Sequence, residues 1–308
     1  MTTKITIRAH DTFYIRKGWL DKGMRKVDES PNVFTSKTEN PMDVLGIGAN
    51  MVKSLRYWMR ATGLCDEKPD NRKKVQVLSP FGNLVYSYDP YLEETGTLWA
   101  IHYNLATNRE LATSWYYFFN LFPLKSFSRD EYEEMMIGYI DMLGAKRPSR
   151  RSIEDDFNCI ISTYTPKERL NPTKTSPENN IDCPLSELYL TDVENKRKHL
   201  FRKQSKSCSE IPWEIVSYAT YVFAIDKRDE KERYEIPISE LVSAECSPGK
   251  VFCLDTINLT TSLYEAQRNG FVKVIRTAGL DVVKLEPIED RNFFLERYYS
   301  DMGMEALQ

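Results

Sequence analysis

The sequence predicts a mainly α protein with small β-hairpins, an α+β fold. An N-terminal winged helix-turn-helix, a helical aromatic core and a second winged-helix-like unit at the C-terminus make it up. Three observations carry this expectation. From Asn40 to Leu64, a proline opens a short helix, Gly46 and Gly48 break it, and a longer helix runs to a stop at Gly63. A basic run and a β-rich run come next, the order of a recognition helix followed by a hairpin. Short helix, helix and hairpin then recur between Ile238 and Pro287.

The elements follow in chain order. The stretch Arg8 to Val27 predicts a support helix with Phe13, Trp19 and Leu20 in its core, and Ser30 to Asn40 reads as a polar loop. The helix from about Asn50 to Ala61 is two-faced. Val52, Leu55, Met59 and Thr62 recur at helical spacing on one side, and Lys53, Arg56, Tyr57 and Arg60 on the other. Such a division suits a helix in a DNA groove, with cations for phosphates and polar or aromatic groups for base edges. It also suits an ordinary helix with a solvated basic face. Arg72, Lys73 and Lys74 fall where a hairpin tip would reach the DNA backbone, and Ser79-Pro80 caps a helix from Phe81. The DNA-binding set is therefore Asn50, Lys53, Ser54, Arg56, Tyr57, Arg60, Arg72, Lys73 and Lys74.

Tyr88 to Phe122 is the most aromatic stretch, with helices around Thr97 to Ala106 and Glu110 to Phe122. Trp99, Tyr103, Trp115, Tyr116, Phe118, Phe119 and Phe122 suit a core or a dimer interface better than a base-stacking platform. Ser128 and Glu131 form a capping box for a helix through about Leu143. Another helix starts at Ser152 and ends near Tyr164. The Pro-, Thr- and Asn-rich stretch Pro166 to Asn180 marks a boundary. Residues 1–90, 91–166 and 167–308 are the expected regions. Past the boundary come a short helix from Cys183, a basic hairpin over Lys196 to Lys206 and an apolar helix from Trp213 to Ile225. A short helix over Ile238 to Ala244 follows, then a strand V-F-C-L-D, a helix from Thr256 to Arg268 and a last hairpin turning at Thr277-Ala278-Gly279.

At 308 residues the chain can bury a large core, and its 41% hydrophobic and 28% charged content is that of a soluble globular protein. No apolar run reaches membrane-spanning length and the N-terminus lacks a signal-peptide core, so a cytoplasmic protein is expected. Six scattered cysteines without a C-x-x-C pair, beside three histidines, argue against a zinc module or a disulfide framework. With a net charge of −3, contact with nucleic acid has to come from local patches.

Groups suited to phosphoryl chemistry are few. His10 and Arg16 could serve as base and phosphate clamp, and Glu93, Glu94 and His102 as a metal or acid–base cluster. Asp155 and Asp156 are a third pair, but neighbours on a helix point apart. Each set also has an ordinary structural reading as a cap or a buried ion pair.

Six motifs stand out together: H-D-T-F-x-x-R-x-G-W-L from His10, L-G-x-G-x-N-M-V-x-S-x-R-Y-W from Leu45, D-P-Y-L-E-x-x-G-T-L-W-x-x-H-Y from Asp89, T-S-W-Y-Y-F-F-N from Thr113, D-C-P-L-S-E-L from Asp182 and S-P-G-K-V-F-x-L-D from Ser247. From His10 to about Tyr299 the chain resembles a bacterial domain-of-unknown-function family that includes the SspB-type proteins of Ssp DNA phosphorothioation systems in phage defence. The resemblance implies nicking of double-stranded DNA, and the leading expectation is a homodimer that uses a divalent metal, Mg or Mn. It also implies companions: an ATPase, a cysteine desulfurase and a sulfurtransferase. The alternative is a non-catalytic winged-helix DNA-binding adaptor or regulator, because no nuclease motif can be placed on these residues.

Overall fold

Asn40 and Pro41 begin a helix as their chemistry requires. The Asn40 side chain accepts a hydrogen bond from the Met42 N–H, and Pro41 fills a first-turn position that needs no donor. In this computed structural model, which describes residues 4–70, 73–166, 182–226, 235–277, 280–288 and 290–306, the N-terminal part holds α1 (Trp19–Glu29), α2 (Pro41–Leu45) and α3 (Ala49–Ala61). Gly46, at φ 62°, adopts the left-handed turn that separates α2 from α3. The strands β1 (Cys65–Asp70) and β2 (Lys73–Leu78) pair antiparallel, Cys65 opposite Leu78 and Asp70 opposite Lys73. Ser79 then caps α4 (Pro80–Tyr88), its hydroxyl accepting from Gly82 N at 2.8 Å. The loop before α2 is less polar in effect than in composition, because Val33 and Phe34 are buried.

The middle of the chain is built on α5 (Thr95–Thr107), which is buried on every side, as an apolar helix without a polar face must be. It leads to α6 (Thr113–Tyr116), a π-turn over Tyr117–Leu121, β3 (Ser126–Ser128), α7 (Arg129–Met142) and α8 (Arg150–Tyr164). The expected aromatic side chains are all core. The Ser128–Glu131 capping box forms in both directions. The start of α8 differs from the expected Ser152: the Ser149 hydroxyl accepts from the Ser152 N–H, so Ser149 is the cap and Ser152 lies in the first turn.

The C-terminal half contains a 3-10 turn (Pro184–Leu188), β4 (Thr191–Asn195), β5 (Leu200–Lys203), α9 (Trp213–Asp226) and β6 (Glu235–Pro237). After these come α10 (Ile238–Ser243), α11 (Pro248–Val251), α12 (Thr256–Arg268), β7 (Val272–Thr277), β8 (Leu280–Leu285) and α13 (Phe293–Asp301). Both hairpins gain a third strand, in the orders β3-β5-β4 and β6-β8-β7. At three residues each, β3 and β6 are too short to show alternation in sequence. The expected strand V-F-C-L-D is a correction. It folds as the helical turn α11 and one parallel bridge from Leu254 to Lys206, since Ser247 caps and Pro248 opens a helix there.

One apolar core runs from Ile15 to Tyr299. The β3–β5 pairing joins residues on either side of the boundary proposed at Pro166, and the Tyr298 hydroxyl reaches Glu94 from the far end of the chain. Much of the proposed linker, residues 167–181, lies outside the described residues.

Candidate nucleic-acid interface

The exposed side of α3 is real but is less freely charged than its sequence. Asn50 and Lys53 face outward, with Lys53 Nζ 3.4 Å from Asn50 Oδ1. Arg56 Nη2 donates to Glu67 Oε1 at 2.8 Å, while Arg60 Nη1 and Lys74 Nζ lie 3.5 and 3.3 Å from Glu67 Oε2. One carboxylate on β1 thus gathers three cations from α3 and β2, leaving the cluster with a net charge of +2 (three minus one). Burial works to raise the Glu67 pKa. The charges of Arg60 and Arg56 and the Lys74 contact outweigh it, and the carboxyl sits below its ordinary value.

Two residues of the expected DNA-binding set turn inward. Ser54 is fully buried and its hydroxyl donates to the Phe13 carbonyl, beside the Trp58 indole N–H that donates to the same oxygen at 2.9 Å. Ser54 is therefore a packing residue. Tyr57 is half-buried and donates to the Leu111 carbonyl at 3.0 Å, which ties α3 to the segment before α6. Periodicity alone puts Tyr57 on the basic face, but Trp58, fully buried here, widens the apolar stripe beside it. Arg72 lies outside the described residues, and Lys73 is described only in its backbone pairing opposite Asp70.

His10 and Arg16 are not partners in one site. The Arg16 guanidinium lies over the Phe13 and Trp19 rings, 5.7 and 5.5 Å from their centroids. The His10 ring stacks on Trp58, meets Trp115 edge-on, and is 1% exposed. Its Nε2–H donates to Asp156 Oδ1 at 2.7 Å, and the backbone N–H of Arg8 reaches the same oxygen at 2.8 Å. The Ser114 hydroxyl donates to Asp156 Oδ2. The neighbouring Asp155 instead meets Arg8 Nε at 2.7 Å and Arg151 Nε at 3.4 Å. The two carboxylates do point apart, yet both hold the same N-terminal segment. That segment needs holding: Arg8, Asp11 and Thr12 all have positive φ, which costs non-glycine residues ~1–3 kcal/mol each. A His–Asp pair resembles a general base and its orienter, but beneath two indoles this one has no route to a substrate. The signal in sequence was the D-D pair on α8.

Glu93, Glu94 and His102 do not converge either. Glu94 precedes the first residue of α5 and accepts from Tyr298 Oη at 3.0 Å, and Glu93 is exposed. His102 lies eight residues further on, ~12 Å along the helix axis at 1.5 Å per residue. It is fully buried. A carbonyl can only accept, so Nε2–H donates to Val251 O at 2.9 Å, and Nδ1 accepts from Tyr164 Oη at 2.8 Å. Burial pushes this imidazole down to about 4, against the opposing effect of the Val251 bond. It is a neutral strut between helices. Asp89 is likewise spent, its two oxygens taking the Glu93 and Glu94 N–H groups at 2.9 and 3.0 Å.

A family model described as protein of unknown function (DUF4007) matches residues 7–299. The chain belongs to the DUF4007 family. Two crystal structures, of SspB and of magnesium-bound SspB, superpose on it with TM-scores of 0.84 and 0.83. Each is 25% identical and covers 96% of this chain and 88% of the other. No curated protein matches. The DUF4007 chain resembles these SspB structures over almost its full length. Among its described residues, no three His, Cys, Asp or Glu side chains come together as a metal-binding group. The carboxylates at Asp89, Asp155 and Asp156 are taken by donors of the chain itself, so these residues do not fit a resident divalent ion.

Proposed function

We propose that this chain is the SspB-type component of a DNA phosphorothioation system and that it binds and nicks duplex DNA. The observation that carries the reading is the likeness to SspB across 96% of the chain. The winged-helix mode of docking belongs to the same proposal. Asn50 and Lys53 on α3 meet the major groove, and the Arg56–Arg60–Lys74 cluster over Glu67 meets phosphates on its flank. A cytoplasmic place, a homodimer and the companion ATPase, cysteine desulfurase and sulfurtransferase are part of this reading. Among the described residues no helix is long and apolar enough to cross a membrane.

A second reading, a DNA-binding adaptor whose chemistry belongs to a partner, is favoured by one observation. His10 and His102, the histidines expected to be reactive, are both sealed in the core. One experiment separates the two. Supercoiled plasmid is incubated with the purified protein in magnesium, in manganese and in EDTA, and DNA binding is measured across salt concentrations. Nicking predicts open circles in at least one metal and none in EDTA. Salt-dependent binding without open circles supports the adaptor, and the absence of binding at low salt removes both. If α3 enters the groove, Lys53→Ala weakens binding and flattens the slope of log K against log salt by up to about 0.9.

A further inference from the structure

The S-P-G-K-V-F-C-L-D motif has no part in the DNA-facing surface, yet it is built with care. Ser247 and Pro248 start α11, and Gly249 lies so close to α10 that a Cβ would come within 2.5 Å of Val242 Cα. Lys250 is thereby held on one side of a cavity of about 270 Å³. Cys253 turns the chain with a φ of 55° and places its thiol on the same wall. The end of β5 and the π-turn also line it, with Phe119, Phe122 and Leu124 as an apolar part of the boundary.

Three lysines line this cavity: Lys125, Lys203 and Lys250. Among the described residues none of their ammonium groups is paired with a carboxylate. Lys203 Nζ donates to the Phe118 and Phe122 carbonyls at 2.5 and 2.7 Å, at the end of the π-turn, and has one N–H left to give. Asp255 is the carboxylate on the wall, and its Oδ1 is occupied by the N–H and amide of Asn258 at the start of α12. Burial first, and the nearby Lys250 charge after it, push Lys203 down to about 8, although the Cys253 sulfur works the other way. Like charges drawn together beside apolar walls repel one another, and a bound anion removes that cost.

We propose that this cavity binds a phosphate-type oxyanion, held by Lys203 and Lys250 with Lys125 at its mouth. The lining suits the ligand: Lys125, Lys203 and Lys250 all border the cavity, and Phe119, Phe122 and Leu124 make part of its boundary apolar. The site lies apart from α3 and its hairpin, so it stands or falls independently of DNA binding.

Calorimetric titration with inorganic phosphate, against sodium chloride at matched ionic strength, tests it on the full chain. A saturable single site is expected, with binding about tenfold weaker in Lys250→Ala and weakened further in Lys203→Met. Lys125 is exposed, so Lys125→Ala gives a variant whose folding is not at stake. Repeating the titration at pH 8 in buffers of different ionisation heat should show proton uptake, because an anion drives Lys203 back to its charged form. Adenosine monophosphate identifies the source of the phosphate. Tighter binding than phosphate marks a nucleotide site using the Phe122–Leu124 wall, and equal binding marks a site for the free ion. A phosphate response no different from chloride overturns the proposal, as does binding unchanged in both Lys250→Ala and Lys125→Ala.

Discussion

His102 illustrates how position decides what a residue can do. In sequence it lay near two glutamates and invited an acid–base reading. In the fold it is neutral, saturated and enclosed. Its folded pKa, about 4, is below the ordinary 6.5, so the unfolded chain binds the extra proton between those values. Stability from this group is therefore complete above pH 6.5 and is lost as the pH falls towards 4, a change on the order of 3 kcal/mol. Urea unfolding at pH 7 and pH 5 should show a marked drop for the wild type. His102→Gln, less stable at pH 7, should show a shallower one. An equal drop in both proteins would mean that His102 does not carry the effect.

At the scale of elements, α3 and its hairpin act as one unit because Glu67 joins them. The carboxylate orders Arg56, Arg60 and Lys74, and it also cancels part of their field. Glu67→Gln keeps the shape and removes the charge. Duplex DNA should then bind several-fold more tightly with a steeper salt dependence, as free cations displace more counterions. Weaker binding measured by fluorescence anisotropy would show instead that ordering of the arginines outweighs their neutralisation. This link was only half legible in the chain. The cationic spacing on α3 predicted the face, but Glu67 sits seven residues beyond Arg60 in a run that reads as polar and basic. Nothing local places it beneath both arginines.

For the whole molecule, the continuous core from Ile15 to Tyr299 implies one cooperative unit despite the three regions read from composition. Asp156 tests this. It receives the His10 ring, the Arg8 N–H and the Ser114 hydroxyl in a fully packed setting. Asp156→Ala should cost about 3–5 kcal/mol by leaving those donors unpaired. Thermal unfolding followed by circular dichroism and by tryptophan fluorescence should shift as one transition. If the N-terminal part melted separately in the variant, the regions would be independent folding units.

What the sequence determined by itself was set by short-range rules: the caps at Asn40, Ser79 and Ser128, the helix breaks at glycine, the amphipathic stripe of α3 and the aromatic identity of the core. Each depends on residues within one or two helical turns, so each is written locally. Tertiary structure alone decided the rest. It enclosed Ser54, His10 and His102, brought Asp155 and Asp156 to the strained segment at Arg8, and drew Lys203 and Lys250 to the lining of one cavity. Those pairings span tens to well over a hundred residues, and burial determines whether a histidine or a lysine is a strut or a ligand. Neither distance through space nor burial is a property of any local stretch of chain.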